Sequence, residues 1–318
     1  MSKKIIGIVG LNKNQITELN KKYTKTKFID VKDNNFFHKK TLKINALIVL
    51  YEYPVKKNLS KFLMYKHSEF KNLNWLHLTR AGVDECEPFM KKYNFKFTAG
   101  KKIQGPNVSE HCVSLLLAIT RGLFDQYNDV KYSFRPTEIK DKKIIIAGLG
   151  GIGDAIAEKL QNFSSLISSI DHSYKSKKYI YRNYSLKQVP KILKNYDILI
   201  NALPLTKQTK KIFNKKIFTK MKKNSIFISV SRDQTINIKD LKYFIKKRKF
   251  FGVAIDNTGS FKMSKKIIYD KKYNFLLTDH LAGVTTDNKR RIKLVFDNIK
   301  AYIGGKKTKY EVSKIKGY

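Results

Sequence analysis

The chain has 318 residues, 66 Lys and Arg against 25 Asp and Glu, a formal net charge of +41, and 42% hydrophobic residues. That length and apolar content suffice for two modest cores or one large one, which excludes broad disorder. Of the basic residues 58 are Lys and 8 are Arg, spread along the whole chain. Nucleic-acid recognition favours Arg forks and clustered patches, so the charge is read as steering anionic ligands inward, and a nucleic-acid partner is not expected.

Cys86 and Cys112 are the two cysteines. Two cannot make a disulfide framework and no Cys-x-x-Cys occurs. The apolar run at the N-terminus is too short for a signal peptide, and no stretch approaches membrane-spanning length. The expectation is a cytoplasmic protein with no membrane partner.

In chain order, Ile5–Val9, Ala46–Leu50 and Trp75–Thr79 are short apolar runs of strand length, each followed by polar or Gly-containing sequence. That alternation predicts a parallel sheet with helices. Ser109–Leu123 is apolar on most of a helical surface and predicts a buried helix, between domains or against a second subunit. Lys143–Ala147 is a strand running into a glycine-rich turn, and Ala155–Leu160 begins the helix after it. Leu166–Asp171, Asp197–Ala202, Ser225–Val230, Phe251–Asp256 and Phe275–Thr278 read as further strands. Val284–Ile303 predicts a final helix, and the Lys-rich tail from Gly304 is expected to fray.

The turn Gly148-Leu149-Gly150-Gly151-Ile152-Gly153 follows a strand and opens a helix, and Asp171 lies 18 residues past Gly153 at the end of the next strand. Gly148 allows the tight turn, Gly150 a close approach of backbone to a pyrophosphate, and Gly153 close packing of helix on strand. The helix N-terminus then offers free N–H groups to the phosphates. Asp171 is placed to accept from ribose hydroxyls and to repel a 2′-phosphate, which favours NAD over NADP.

Further segments converge on one family. Arg80-Ala81-Gly82-Val83-Asp84, Ser109-Glu110-His111 with Leu115-Leu116-Leu117-Ala118, and Asn201-Ala202-Leu203-Pro204-Leu205-Thr206 come first. Met221–Arg232, Gly252-Val253-Ala254-Ile255-Asp256 and Leu277–Thr285 around His280 follow in order. Together they resemble the D-isomer-specific 2-hydroxyacid dehydrogenases over about residues 75–303. The resemblance implies two doubly wound parallel-sheet α/β domains. A Rossmann NAD-binding domain (106–285) is inserted into a flavodoxin-like substrate domain (1–105 and 286–318), usually as a homodimer. It implies hydride transfer between the nicotinamide and a small 2-oxo or 2-hydroxy acid.

By the same resemblance, Arg232 holds the substrate's carboxylate and carbonyl oxygens, a task suited to its fork, and His280 is the acid/base. The amides of Ala81 and Gly82 grip the carboxylate, and Gly151 and Ile152 lie on the pyrophosphate. Asp256 holds the nicotinamide amide. Leu203, Pro204, Val230, Ser231, Arg232, His280 and Gly283 line the cofactor site. His111 and Glu110 are given structural roles, and no metal is expected.

The pattern departs from the family at three positions. The family's catalytic Glu falls on Phe261, and no Glu occurs in the 24-residue interval from Asp256 to His280. Asp233 stands where a Gly is usual after the Arg, and Asp279 where a Pro is usual before the His. A carboxylate beside an imidazole raises its pKa; without one, His280 is expected near or below ~6.5. Asp279 or Asp270 in its place, a shifted pH profile, or a degenerate scaffold that binds NAD(H) as a sensor are the readings this leaves. Asp233 is expected to blunt the charge of Arg232. Tyr51-Glu52-Tyr53 and Arg80 carry no decisive specificity signal.

Overall fold

The structure is a computed structural model and describes residues 3–31, 43–50, 71–83, 86, 90, 92–123, 136–173, 176–256 and 273–313. It divides into two compact units, Met1–Ile103 with Thr286–Tyr318, and Gln104–Thr285.

In the first unit, β1 (Lys4–Val9), β2 (Thr26–Asp30), β3 (Ala46–Val49), β4 (Trp75–Leu78) and β5 (Lys96–Ala99) form a parallel sheet in the order β2-β1-β3-β4-β5. Every residue of β3 and β4 is buried, as a parallel sheet covered on both faces requires. Helix α1 (Lys13–Lys22) starts on a capping box in which Asn12 accepts from Gln15 N–H and Gln15 accepts from Asn12 N–H. It packs Ile16 and Leu19 with Ile6, Ile8, Ile48 and Trp75.

In the second unit seven parallel strands take the order β12-β11-β10-β9-β6-β7-β8. They are β6 (Ile144–Ala147), β7 (Ile167–Ile170), β8 (Arg182–Tyr184), β9 (Ile198–Asn201), β10 (Ser225–Ser229), β11 (Phe250–Asp256) and β12 (Phe275–Thr278). Helix α2 (Gly105–Arg121) and α3 (Gly151–Leu160) cover one face with Cys112, Leu116, Ile119 and Ile156. Helices α4 (Val189–Ile192), α5 (Lys215–Lys220) and α6 (Ile238–Lys246) cover the other with Phe218, Leu241 and Phe244. The chain winds outward both ways from β6 and β9, so the order reverses between them.

The structure departs from the sequence-based expectations at several places. Strands β2, β5 and β8 were not predicted. They are edge strands of three to five residues that mix polar with apolar side chains, too short and mixed to read as apolar runs. Helix α2 begins four residues before Ser109, with Pro106 in its first turn, and ends on Gly122 in the left-handed region. Leu123 lies beyond it and is 51% exposed. The last helix, α7, runs Lys289–Ile303 and not from Val284, because Asp256 holds the chain at Leu281 and Ala282 in a turn. Nor does the tail fray before residue 313. Asn298 brackets Lys309 through its amide and carbonyl, and Tyr310 O and Val312 N–H pair with Ala99 N–H and Phe97 O on β5.

Candidate active site

The site is built on the carboxyl ends of the second unit's strands. As β6 ends, Gly148 takes φ +90°, and its N–H continues the ladder to Ile170 O at 2.9 Å. A Cβ on Gly153 would stand 1.8 Å from Gly148 O, so α3 packs against the turn at a distance only Gly permits. A Cβ on Gly150 would meet nothing within 4 Å, and no side chain caps α3 there. Open space therefore faces the free N–H groups of a helix N-terminus. That fits the pyrophosphate of a dinucleotide. Asp171, where β7 ends, accepts Leu149 N–H on Oδ2 at 2.8 Å, and on Oδ1 the amide and hydroxyl of Ser173 at 2.7 and 3.0 Å.

The next two strand ends are locked together by Asn201, which sequence reasoning placed in a motif without giving it a task. Fully buried, it donates to Ser229 Oγ at 3.0 Å and Thr235 Oγ1 at 2.9 Å, and accepts Leu203 N–H at 3.2 Å. Thr235 donates to Arg232 O at 2.6 Å, and Ser231 donates to Leu203 O. The segments carrying Leu203 and Pro204, and Val230, Ser231 and Arg232, are thus tied by buried hydrogen bonds. Leu203, Val230 and Ser231 are buried, Arg232 is half-buried and Pro204 is exposed.

Asp256, at the end of β11, organises the segment after β12. It accepts Thr278 Oγ1 at 2.6 Å and Leu281 N–H at 2.8 Å on Oδ1, and Ala282 N–H at 3.1 Å on Oδ2. His111 on α2 stands 3.0 Å from Thr278 Oγ1 and 3.6 Å from Asp256 Oδ1. Asn107 donates to Ala282 O at 3.0 Å. Held at both ends, His280 sits half-buried at φ +54°, a region His adopts more readily than most residues. Gly283 follows, where an added Cβ would come 3.3 Å from Gln104 Nε2. Glu110 faces away from this cluster, with its carboxylate 67% exposed and 3.4 Å from Lys159 Nζ.

Asp233 lies inside the site, 5% exposed. Burial raises its carboxyl above the ordinary range. The N–H groups of Gln234 and Asp233 itself and the charges of Arg232 and His280 pull it back.

Ala81 and Gly82 are in the first unit, half-buried in the turn that leaves β4. Phe261, Asp270, Asp84 and Tyr51-Glu52-Tyr53 lie outside the described residues. Among the described residues no group of His, Cys, Asp and Glu is placed to hold a metal, and no helix is long and apolar enough to cross a membrane.

Comparison with known proteins fixes the family. The model of the D-isomer specific 2-hydroxyacid dehydrogenase NAD binding domain matches residues 113–282, more than half of the chain. The chain belongs to the D-isomer-specific 2-hydroxyacid dehydrogenase family. Members are nicotinamide-dependent oxidoreductases of 2-hydroxy and 2-oxo acids, and the chain is one of these. A glyoxylate reductase of Thermofilum pendens is 26% identical over 247 residues, 74% of this chain and 73% of that protein. A glyoxylate/hydroxypyruvate reductase of Arabidopsis thaliana is 23% identical, covering 86% and 84%. The solved structure of a family protein from Aeromonas salmonicida superposes with a TM-score of 0.79 at 20% identity, covering 98% of this chain and 100% of that one. An NADPH-dependent glyoxylate/hydroxypyruvate reductase of Sinorhizobium meliloti, solved with NADP and sulfate, gives 0.77 at 18%, covering 99% and 100%. These likenesses show the same two-domain, parallel-sheet fold. The comparisons give a sensing role no support.

Proposed function

We propose that the chain reduces a small 2-oxo acid with NADH, using Arg232 and His280 at the reacting centre. One observation carries this reading. The glycine turn, Arg232, Asp256 and His280 gather at the carboxyl ends of β6, β10, β11 and β12 of a single sheet, beside the point where its strand order reverses. Ligands of open α/β sheets bind at such a crevice.

When bound, the nicotinamide supplies or takes up the hydride. The chain binds and orients. The N–H groups opening α3 at Gly150, Gly151 and Ile152 take the pyrophosphate, and Asp171 takes the ribose hydroxyls. Asp256 Oδ2, with one backbone donor, keeps acceptor capacity for the nicotinamide amide. Leu203, Pro204, Val230, Ser231 and Gly283 flank the ring. Arg232 and the amides of Ala81 and Gly82 hold the substrate carboxylate, and the Arg fork also polarises the carbonyl. His280 gives a proton to the carbonyl oxygen as the hydride arrives and takes one in the reverse direction. The units Gln104–Thr285 and Met1–Ile103 with Thr286–Tyr318 would serve nucleotide and substrate respectively. A homodimer in the cytoplasm completes the proposal; for the compartment, the support is that Cys86 and Cys112 are buried and form no disulfide.

The test follows NADH loss with glyoxylate and hydroxypyruvate. Wild type turns over, and His280→Ala loses about 10²-fold or more in kcat. Full activity in His280→Ala would sink the assignment. Light scattering on the eluted protein decides the dimer.

A further inference from the structure

We propose that His111, on α2, is a positioning residue for His280: through Thr278 and Asp256 it fixes the turn that carries the acid/base. The inference rests on the functional reading above. His280 stands at φ +54°, a conformation that persists in a non-glycine residue only where the surroundings over-determine it. Helix α2 supplies part of that restraint from one face. Asn107 and His111 lie four residues apart, as neighbours on a helix surface do, and they reach the two sides of His280. Asn107 Nδ2 donates to Ala282 O at 3.0 Å, just after it. His111 Nε2 stands 3.0 Å from Thr278 Oγ1, just before it.

These hydrogen bonds run in one direction. Thr278 Oγ1 donates its proton to Asp256 Oδ1 at 2.6 Å, because a carboxylate only accepts. Toward His111 the hydroxyl oxygen can then only accept, so the imidazole carries its proton on Nε2. The result is a chain from His111 through Thr278 to Asp256. That carboxylate also takes the amides of Leu281 and Ala282, at 2.8 and 3.1 Å. It is buried, with its side chain 3% exposed, and the His111 ring lies 3.6 Å from its Oδ1. Without the Nε2 donor, the Thr278 hydroxyl loses the partner that fixes its rotamer, and the end of β12 loses this tie to α2. His111 therefore acts on the reaction through the turn.

The experiment compares wild type with His111→Gln, His111→Asn and His111→Leu, each at a temperature where its melting curve shows it folded. The Gln amide places a donor where Nε2 stands. The Asn amide falls short of it, and Leu fills the space without donating. With glyoxylate, kcat falls about tenfold to 10²-fold in His111→Leu and His111→Asn, the effect of displacing a reacting group by about 1 Å. KM for NADH stays as it was, and His111→Gln recovers kcat. Wild-type kcat in His111→Leu, or a kcat in His111→Gln no higher than in His111→Leu, overturns the proposal. Should His111→Leu fail to fold, the tautomer of the wild-type His111 ring is read by nitrogen NMR, its signal assigned with His111→Gln. A proton on Nε2 of the neutral ring supports the chain of hydrogen bonds, and one on Nδ1 overturns it. If wild type reduces none of the 2-oxo acids, the functional reading fails, while the tautomer still judges His111.

Discussion

Leu149 donates its amide to Asp171 Oδ2 at 2.8 Å, tying the glycine turn to the end of the neighbouring strand. The acid proposed to take the ribose thus also shapes the glycine turn proposed to take the phosphates. A charge-assisted hydrogen bond is worth about 1.5–3 kcal/mol. Asp171→Ala is therefore expected to weaken NADH binding by roughly tenfold or more, and NADPH binding by less, because the repulsion of a 2′-phosphate goes with the carboxylate. Fluorescence titration with both cofactors checks this. Equal losses for the two would mean that Asp171 holds the loop and does not discriminate.

Two glycines of one turn are expected to fail in different ways. Gly150→Ala puts its Cβ into the open space over α3, so the melting temperature holds while NADH affinity drops. Gly153→Ala drives its Cβ to 1.8 Å from Gly148 O, so helix and strand must separate and the protein melts several degrees lower. Calorimetry beside cofactor titration distinguishes them. A Gly150→Ala protein that binds NADH normally would show that the open space is not where the phosphates lie.

His77 on β4 gives the first unit an acid sensitivity. It is fully buried, with Nδ1 2.7 Å from Thr98 Oγ1, which also accepts Trp75 Nε1 at 2.9 Å. Burial pushes its pKa down from 6.5 to about 4. The unfolded chain therefore binds a proton between about pH 6.5 and 4 that the folded chain refuses. The neutral histidine's full contribution to stability is present above pH 6.5 and is lost as pH falls through that window, by up to about 3 kcal/mol. Urea midpoints at pH 7 and 4.5 should fall further for wild type than for His77→Gln. Equal falls would rule His77 out as the cause.

The dinucleotide turn was legible because each of its glycines answers a backbone demand at a fixed spacing, and strand, turn, helix and acid follow in register. The motifs around Arg232 and His280 singled out both residues, which the structure sets just past the ends of β10 and β12. The sequence hid whatever depends on contacts between distant strands. Asn201 reads as an ordinary polar residue until Ser229 and Thr235 are seen to converge on it. Asp233 reads as a neighbour that blunts Arg232, and nothing in the sequence foretells that it is buried. The start of the last helix was misplaced for the same reason. Asp256 takes the amides of Leu281 and Ala282, and periodicity carries no trace of a carboxylate reaching in from another strand.

The pairing of residues 310–312 with β5 sets a timetable for synthesis. The middle of the chain, Gln104–Thr285, is contiguous and has all its strands once it leaves the ribosome. The first hundred residues emerge earlier yet gain α7 and the Tyr310–Val312 segment that bridges β5 only after it. A chain that stops short of Lys309 would carry a finished nucleotide-binding half beside an uncovered sheet edge, the kind of surface that recruits other chains into aggregates.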